Sequence, residues 1–146
     1  MRIQASSKRN PTKSAVLVTA GLVSALLIGY GWAAATVPAE HKGLEVEELG
    51  FVPEASVAAQ VGLKGHRLLL RKITINPGGQ IAKHSAAKVP GVVHMVSGTW
   101  VEGREGGEVK HSAGDTFIED EDTVHWFFNR GDEPATAYVC DIKPTG

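Results

Sequence analysis

The chain has 146 residues and a formal net charge of −1, from 15 basic and 16 acidic side chains. That length suits one domain, and the balanced charge lacks the basic footprint that nucleic-acid binding requires. Cys140 is the only cysteine, which excludes an intramolecular disulfide and any zinc site built on a cysteine pair.

In chain order, the basic residues Arg2, Lys8, Arg9 and Lys13 precede the first acid, Glu40. Residues 14–38 are uncharged, and residues 15–35 are apolar and end in Ala33-Ala34-Ala35. A basic start, an apolar stretch and a small-residue site have the build of a secretory signal peptide. The same run is long enough to cross a bilayer as one hydrophobic helix. Either way the positive flank stays inside, and the domain is delivered outside the cytoplasmic membrane. Residues 1–35 are therefore expected to be a signal peptide or an N-terminal membrane anchor. The protein is then periplasmic or tethered in the cell envelope, touching membrane through residues 15–35 only if these are uncleaved.

Residues 36–43 read as a linker, and residues 44–51 alternate as an edge strand. Residues 53–60 fit either a short helix or a loop. Residues 67–75 form an Ile- and Leu-rich strand closed by a turn at Asn76-Pro77-Gly78-Gly79. Strands over 92–97 and 99–102 flank Gly98, and Glu105-Gly106-Gly107-Glu108 reads as a hairpin turn. Residues 117–119, 125–129 and 135–142 complete the strands, with Cys140 expected as a buried small hydrophobe. Many short strands at close spacing make an all-β sandwich or barrel over residues 44–146.

Two glycine frames carry the chemistry. Gly78, His84 and Gly98 stand at the spacing G, five residues, H-x-H, four residues, E, six residues, G. Gly114, His125 and Asn129 stand at the spacing G, five, P-x-G, two, H, three, N. With fifteen residues between them, the frames resemble the two motifs of the cupin superfamily. That resemblance implies a double-stranded β-helix, a jelly-roll barrel with an interior pocket open at one end. It also implies homodimerisation.

In metal-binding cupins the first motif supplies two histidines and a glutamate, and the second supplies one histidine. His84 and His125 match the first and last of these donors. Ala86 and Gly91 occupy the other two positions, and Asp120 and Asp122 replace the second-motif proline and glycine. The resemblance therefore implies a weak or vestigial site. No cofactor follows firmly from it; a functional site would take divalent Fe, Mn or Zn. His94 becomes a third donor if a bulge at Pro90-Gly91 turns it inward. The run Glu119-Asp120-Glu121-Asp122 is the next source and reads first as a solvated loop. Trp100 and Phe127 are the candidate pocket residues, while His66 and His111 lie near turns and have no assigned role.

Three functions fit these residues. The losses at Ala86 and Gly91 favour a small-molecule-binding module with a degenerate metal site. The alternatives are a metal-dependent oxygenase, isomerase or lyase using His84 and His125, and an envelope interaction scaffold. Ser85, Ser97 and Ser112 lie in no nucleophile-elbow setting, so catalytic residues are unassigned.

Overall fold

A computed structural model describes residues 36–146; the expected signal or anchor over residues 1–35 lies outside them. Eight strands and one helix follow in order: β1 (Lys42–Val52), α1 (Glu54–Val61), β2 (His66–Ser85), β3 (Gly91–Ser97), β4 (Thr99–Arg104), β5 (Gly107–Ser112), β6 (Thr116–Glu119), β7 (Val124–Phe128) and β8 (Ala135–Pro144). All pairings are antiparallel. The sheet runs β5-β4-β7-β2-β8-β3-β6, with β1 added to β2. It curls into a nearly closed jelly-roll barrel. No helix among the described residues is long and apolar enough to cross a membrane.

The expected turn at residues 76–79 is a bend inside one long strand. Before it, His66 to Ile75 of β2 pair with β8; after it, Gln80 to Ser85 pair with β7. Gly78 takes φ +69° there, a conformation most residues avoid. Asn129 locks the bend. Its buried Nδ2 donates to the carbonyls of Ile75 and Glu133, both at 2.8 Å, and its Oδ1 accepts from the Gly131 amide. Its own backbone pairs with Gly78 and Gly79.

Residues 53–60, open in sequence, fold as α1, ended by Gly62 in the left-handed conformation. Residues 36–43 are not a free linker. The Lys83 amide donates to Pro38 O, the Ala82 amide to His41 Nδ1 and the Gln80 side chain to Glu40 O. Backbone groups of β2 that a free linker would leave open thus find partners.

Inward-facing positions form one core of Ile73, Ile75, Ile81, Val93, Met95, Trp100, Phe127, Ala135, Ala137 and Val139. The Trp100 indole donates to Ala135 O at 3.0 Å, satisfying its buried N–H. Cys140 departs from expectation: it is only half-buried. Alternation along β8 gives the inner positions to Ala137, Val139 and Asp141. Cys140 therefore turns outward, in register with Leu70 and Val92.

The β4–β7 contact leaves no room for a side chain at Gly103, where an added Cβ would lie 2.1 Å from Trp126 Nε1. Gly103→Ala should cost ~1–3 kcal/mol by forcing the indole aside, measured as a lower midpoint in urea unfolding. Gly50→Ala, with nothing within 4 Å of the new methyl, serves as the control and should melt as wild type.

Candidate metal centre

The partner exchange of β2 sets His84 directly across from His125 on β7. His125 is fully buried, whereas His84 lies exposed at the cavity mouth. Their rings are 4.6 Å apart between centroids, and the two Nε2 atoms are separated by 3.1 Å. Glu119, at the end of β6, brings Oε1 to 3.3 Å from His125 Nε2. Donor atoms of His84, Glu119 and His125 lie within 4.8 Å of one another.

Glu119 was grouped with a solvated acidic loop, but it is half-buried and turned into the barrel. Its antiparallel partner is Gly91, the position of the missing family glutamate. A Cβ built on Gly91 would lie 3.5 Å from Glu119 Oε2. The carboxylate has moved across the strand pair into the space that a Gly91 side chain would enter. The rest of the run behaves as loop: Asp120 accepts from Thr123 Oγ1 at 2.6 Å, while Glu121 and Asp122 are exposed.

His94 is not part of this group. Register from Gly91 to Met95 against β8 has no bulge, so the buried Val93 and Met95 leave His94 on the outer face. There Nδ1 bonds to Thr116 Oγ1 at 2.8 Å. The backbone at Gly91 is ordinary, and its constraint is space beside Asp141 and Cys140.

The donor set fits a divalent ion. The His84 Nδ1 lies 2.9 Å from Ala82 O, an acceptor only, so Nδ1 carries the proton and Nε2 carries a lone pair. His125 Nδ1 lies 2.6 Å from Glu102 Oε1, which likewise places its proton on Nδ1. Nδ1 is thus spent on an acceptor in both rings, and the two Nε2 atoms, 3.1 Å apart, are the ones placed to hold an ion. Ligands about 2.1 Å from an ion and at right angles stand about 3.0 Å apart, close to the observed separation.

Glu102 is the residue that motif reasoning missed. It is 2% exposed and also contacts His111 Nε2 at 2.9 Å and Arg104 Nε at 2.8 Å. Burial alone would raise its pKa, but hydrogen bonds from His125, His111 and Arg104, with the Arg104 charge, hold it at about 2. His111 stacks on Phe117 with centroids 3.9 Å apart. A sequence signal existed: Glu102 alternates with Trp100 and therefore shares its inward face. Burial opposes charge on both site histidines and lowers the His84 pKa; at His125 hydrogen bonds donated to the Glu102 and Glu119 carboxylates, with their charges, outweigh burial and raise it.

Beside the histidines lies a cavity of about 360 Å³, walled by Ile73, Ile81, Trp100, Phe127 and Val139, with Ala86 also on its lining.

Residues 71–141 match the Cupin domain family and form a cupin domain within the chain. Solved structures agree on the fold. The Cupin_2 domain of an XRE family transcriptional regulator from Enterobacter cloacae is 18% identical, with a TM-score of 0.52 over 70% of this chain and 99% of that one. A predicted oxalate decarboxylase from Thermotoga maritima is 17% identical, with a TM-score of 0.55 over 73% and 93%. KdgF from Halomonas sp. is 16% identical, with a TM-score of 0.53 over 73% and 87%. No curated protein matches the sequence. At these identities the likeness establishes the fold alone.

Glu102 is held well below the ordinary 4.5, so its contribution to stability is complete above that value and lost as pH falls toward about 2. Glu102→Gln should flatten the acid limb of a stability–pH curve and lower stability at pH 7 by ~1–3 kcal/mol. An unchanged acid limb in chemical denaturation would remove Glu102 from this role.

Proposed function

We propose that the barrel binds a small molecule at a divalent metal, Fe, Mn or Zn, held by His84, His125 and Glu119. The facing pair of Nε2 atoms, with Glu119 beside them, is the observation that carries this reading. Two histidines and one carboxylate are a recognised donor set for non-haem iron and for zinc. They leave coordination positions open toward the cavity. An ion bound there would supply Lewis-acid polarisation or redox chemistry to a ligand in those positions.

The chain's own residues do the rest. Glu102 keeps the His125 proton on Nδ1 and orients the ring, as acceptors behind metal-ligating histidines commonly do. The Ala82 carbonyl does the same for His84. Trp100 and Phe127 exclude water from the inner wall. This reading revives the metal-dependent alternative and displaces the degenerate-site module, because Glu119 supplies the carboxylate that Gly91 lacks. Delivery outside the cytoplasmic membrane by residues 1–35 is part of the same proposal, supported by the one-sided charge of that segment.

Metal content of the purified full-length chain tests the site. Near-stoichiometric metal is expected for wild type, with affinity reduced at least about tenfold in His84→Ala, His125→Ala and Glu119→Ala. The discriminating variant is Gly91→Glu in the Glu119→Ala background. It should regain metal, because the new carboxylate grows into the space Glu119 vacates. Full occupancy retained in Glu119→Ala would sink the assignment.

The address has its own check. Protease added to cells with a permeabilised outer layer should degrade the domain while the inner membrane is intact, and complete protection would refute export.

A further inference from the structure

Two cations on the cavity wall play no part in holding the proposed ion. Arg71 on β2 and Lys143 on β8 both line the cavity. Arg71 Nη2 is paired with the buried Asp141, and its Nε has no partner although it is shut away from solvent. A guanidinium offers five N–H donors in a planar fork, so most of its hydrogen-bonding capacity is unspent. Asp141 Oδ1 is also unpartnered. Among the described residues no carboxylate lies within ion-pair distance of Lys143.

The placement relative to the metal donors follows from register. Asp141, Gly91 and Glu119 form one inward row across β8, β3 and β6. Two strand spacings, about 10 Å, therefore separate the backbones that carry Asp141 and Glu119. Between them stands Gly91, without a side chain. Glu119 and Arg71, the cation that Asp141 holds, line one cavity that the apolar wall of Ile73, Trp100, Phe127 and Val139 bounds.

We propose that Arg71 and Lys143 form a second anchor in this cavity, and that the ligand is a short dicarboxylic acid. One carboxylate takes the open positions at the metal and the other takes the Arg71 fork and the Lys143 ammonium. The metal end of this assignment rests on the site proposed above; the Arg71–Lys143 end does not. Charge balance supports two negative groups. Around the metal, a divalent ion and Arg104 outweigh Glu102 and Glu119 by one positive charge. On the far wall, Arg71 and Lys143 outweigh Asp141 by one more. A dianion brings the cavity to neutrality, which a low-dielectric pocket favours. Asp141 acts as a positioning residue that holds the guanidinium in the plane of the wall.

Calorimetric titration of glutarate into the full-length chain, manganese-loaded and metal-free, tests the assignment. Pentanoate and glutaramide serve as one-carboxylate and uncharged controls. Glutarate should bind the loaded chain at least about tenfold more tightly than either control. Lys143→Gln should weaken glutarate about tenfold, with pentanoate little changed. Arg71→Gln alone strands a buried carboxylate and endangers folding. The paired Arg71→Gln/Asp141→Asn variant removes both charges, and it should lose the same preference while melting cooperatively. Glutarate binding no tighter than pentanoate, or unaffected in both variants, overturns the anchor while leaving the metal site standing. Manganese failing to bind, with a glutarate preference over glutaramide that still depends on Arg71 and Lys143, overturns the metal site and upholds the anchor.

Discussion

The partner exchange of β2 is the constraint on which the rest of this barrel depends. Beside β1, one strand serves β8 before the bend and β7 after it, and thereby joins the apolar core to the polar site. The Asn129 amide holds the bend by meeting the Ile75 carbonyl, which would otherwise be buried without a partner, and by adding part-buried hydrogen bonds to the Glu133 carbonyl and the Gly131 amide. Orphaned groups of that kind cost ~1–3 kcal/mol each, so a single side chain fixes where the strand turns. His84 faces His125 because of that turn. Any slip by one residue would turn His84 to the other face and dissolve the pair.

Burial of carboxylates sets the electrostatics. Glu102, Glu119 and Asp141 all face the interior, and each is matched to a cationic or proton-donating neighbour. Glu102 has His125, His111 and Arg104; Asp141 has Arg71; Glu119 has His125. The match at Glu102 is the fullest, which is why its carboxyl stays ionised despite burial. Asp141 is as buried but has one direct cation, and burial raises its pKa against the Arg71 charge. The same kind of group is pushed in opposite directions by the number of donors around it.

Much of this was legible in the chain. The glycine frames gave the barrel, the hairpin at 105–108 and the two facing histidines, because glycine spacing reports backbone geometry directly. Three readings failed for reasons outside a single sequence. The carboxylate at Glu119 serves the site through its pairing with Gly91, and strand register cannot be seen before the fold is known. His94 was offered an inward position by a bulge that the Gly91–Met95 ladder does not contain. Residues 36–43 looked like a linker because their partners, at residues 80–83, lie some forty positions away. Glu102 differs from these, since its alternation with Trp100 makes its inward face readable in the sequence.

The relocation of one carboxylate also explains how the barrel tolerates the losses at Ala86 and Gly91. A glutamate at Gly91 beside Glu119 would place two negative groups in one small space, a repulsion that a single ion would have to offset. With glycine there, a single carboxylate, that of Glu119, stands beside the space that a side chain would enter. Ala86 has the same consequence on the other side, where a methyl group stands in place of an imidazole and lines the pocket. Of the two positions that appear in the motif as missing ligands, Ala86 lines the cavity, and Gly91 leaves its place to the Glu119 carboxylate. A first motif with fewer donors and a wider cavity is one coherent arrangement, because the ligand positions given up by the protein face directly onto the space where a small molecule would enter.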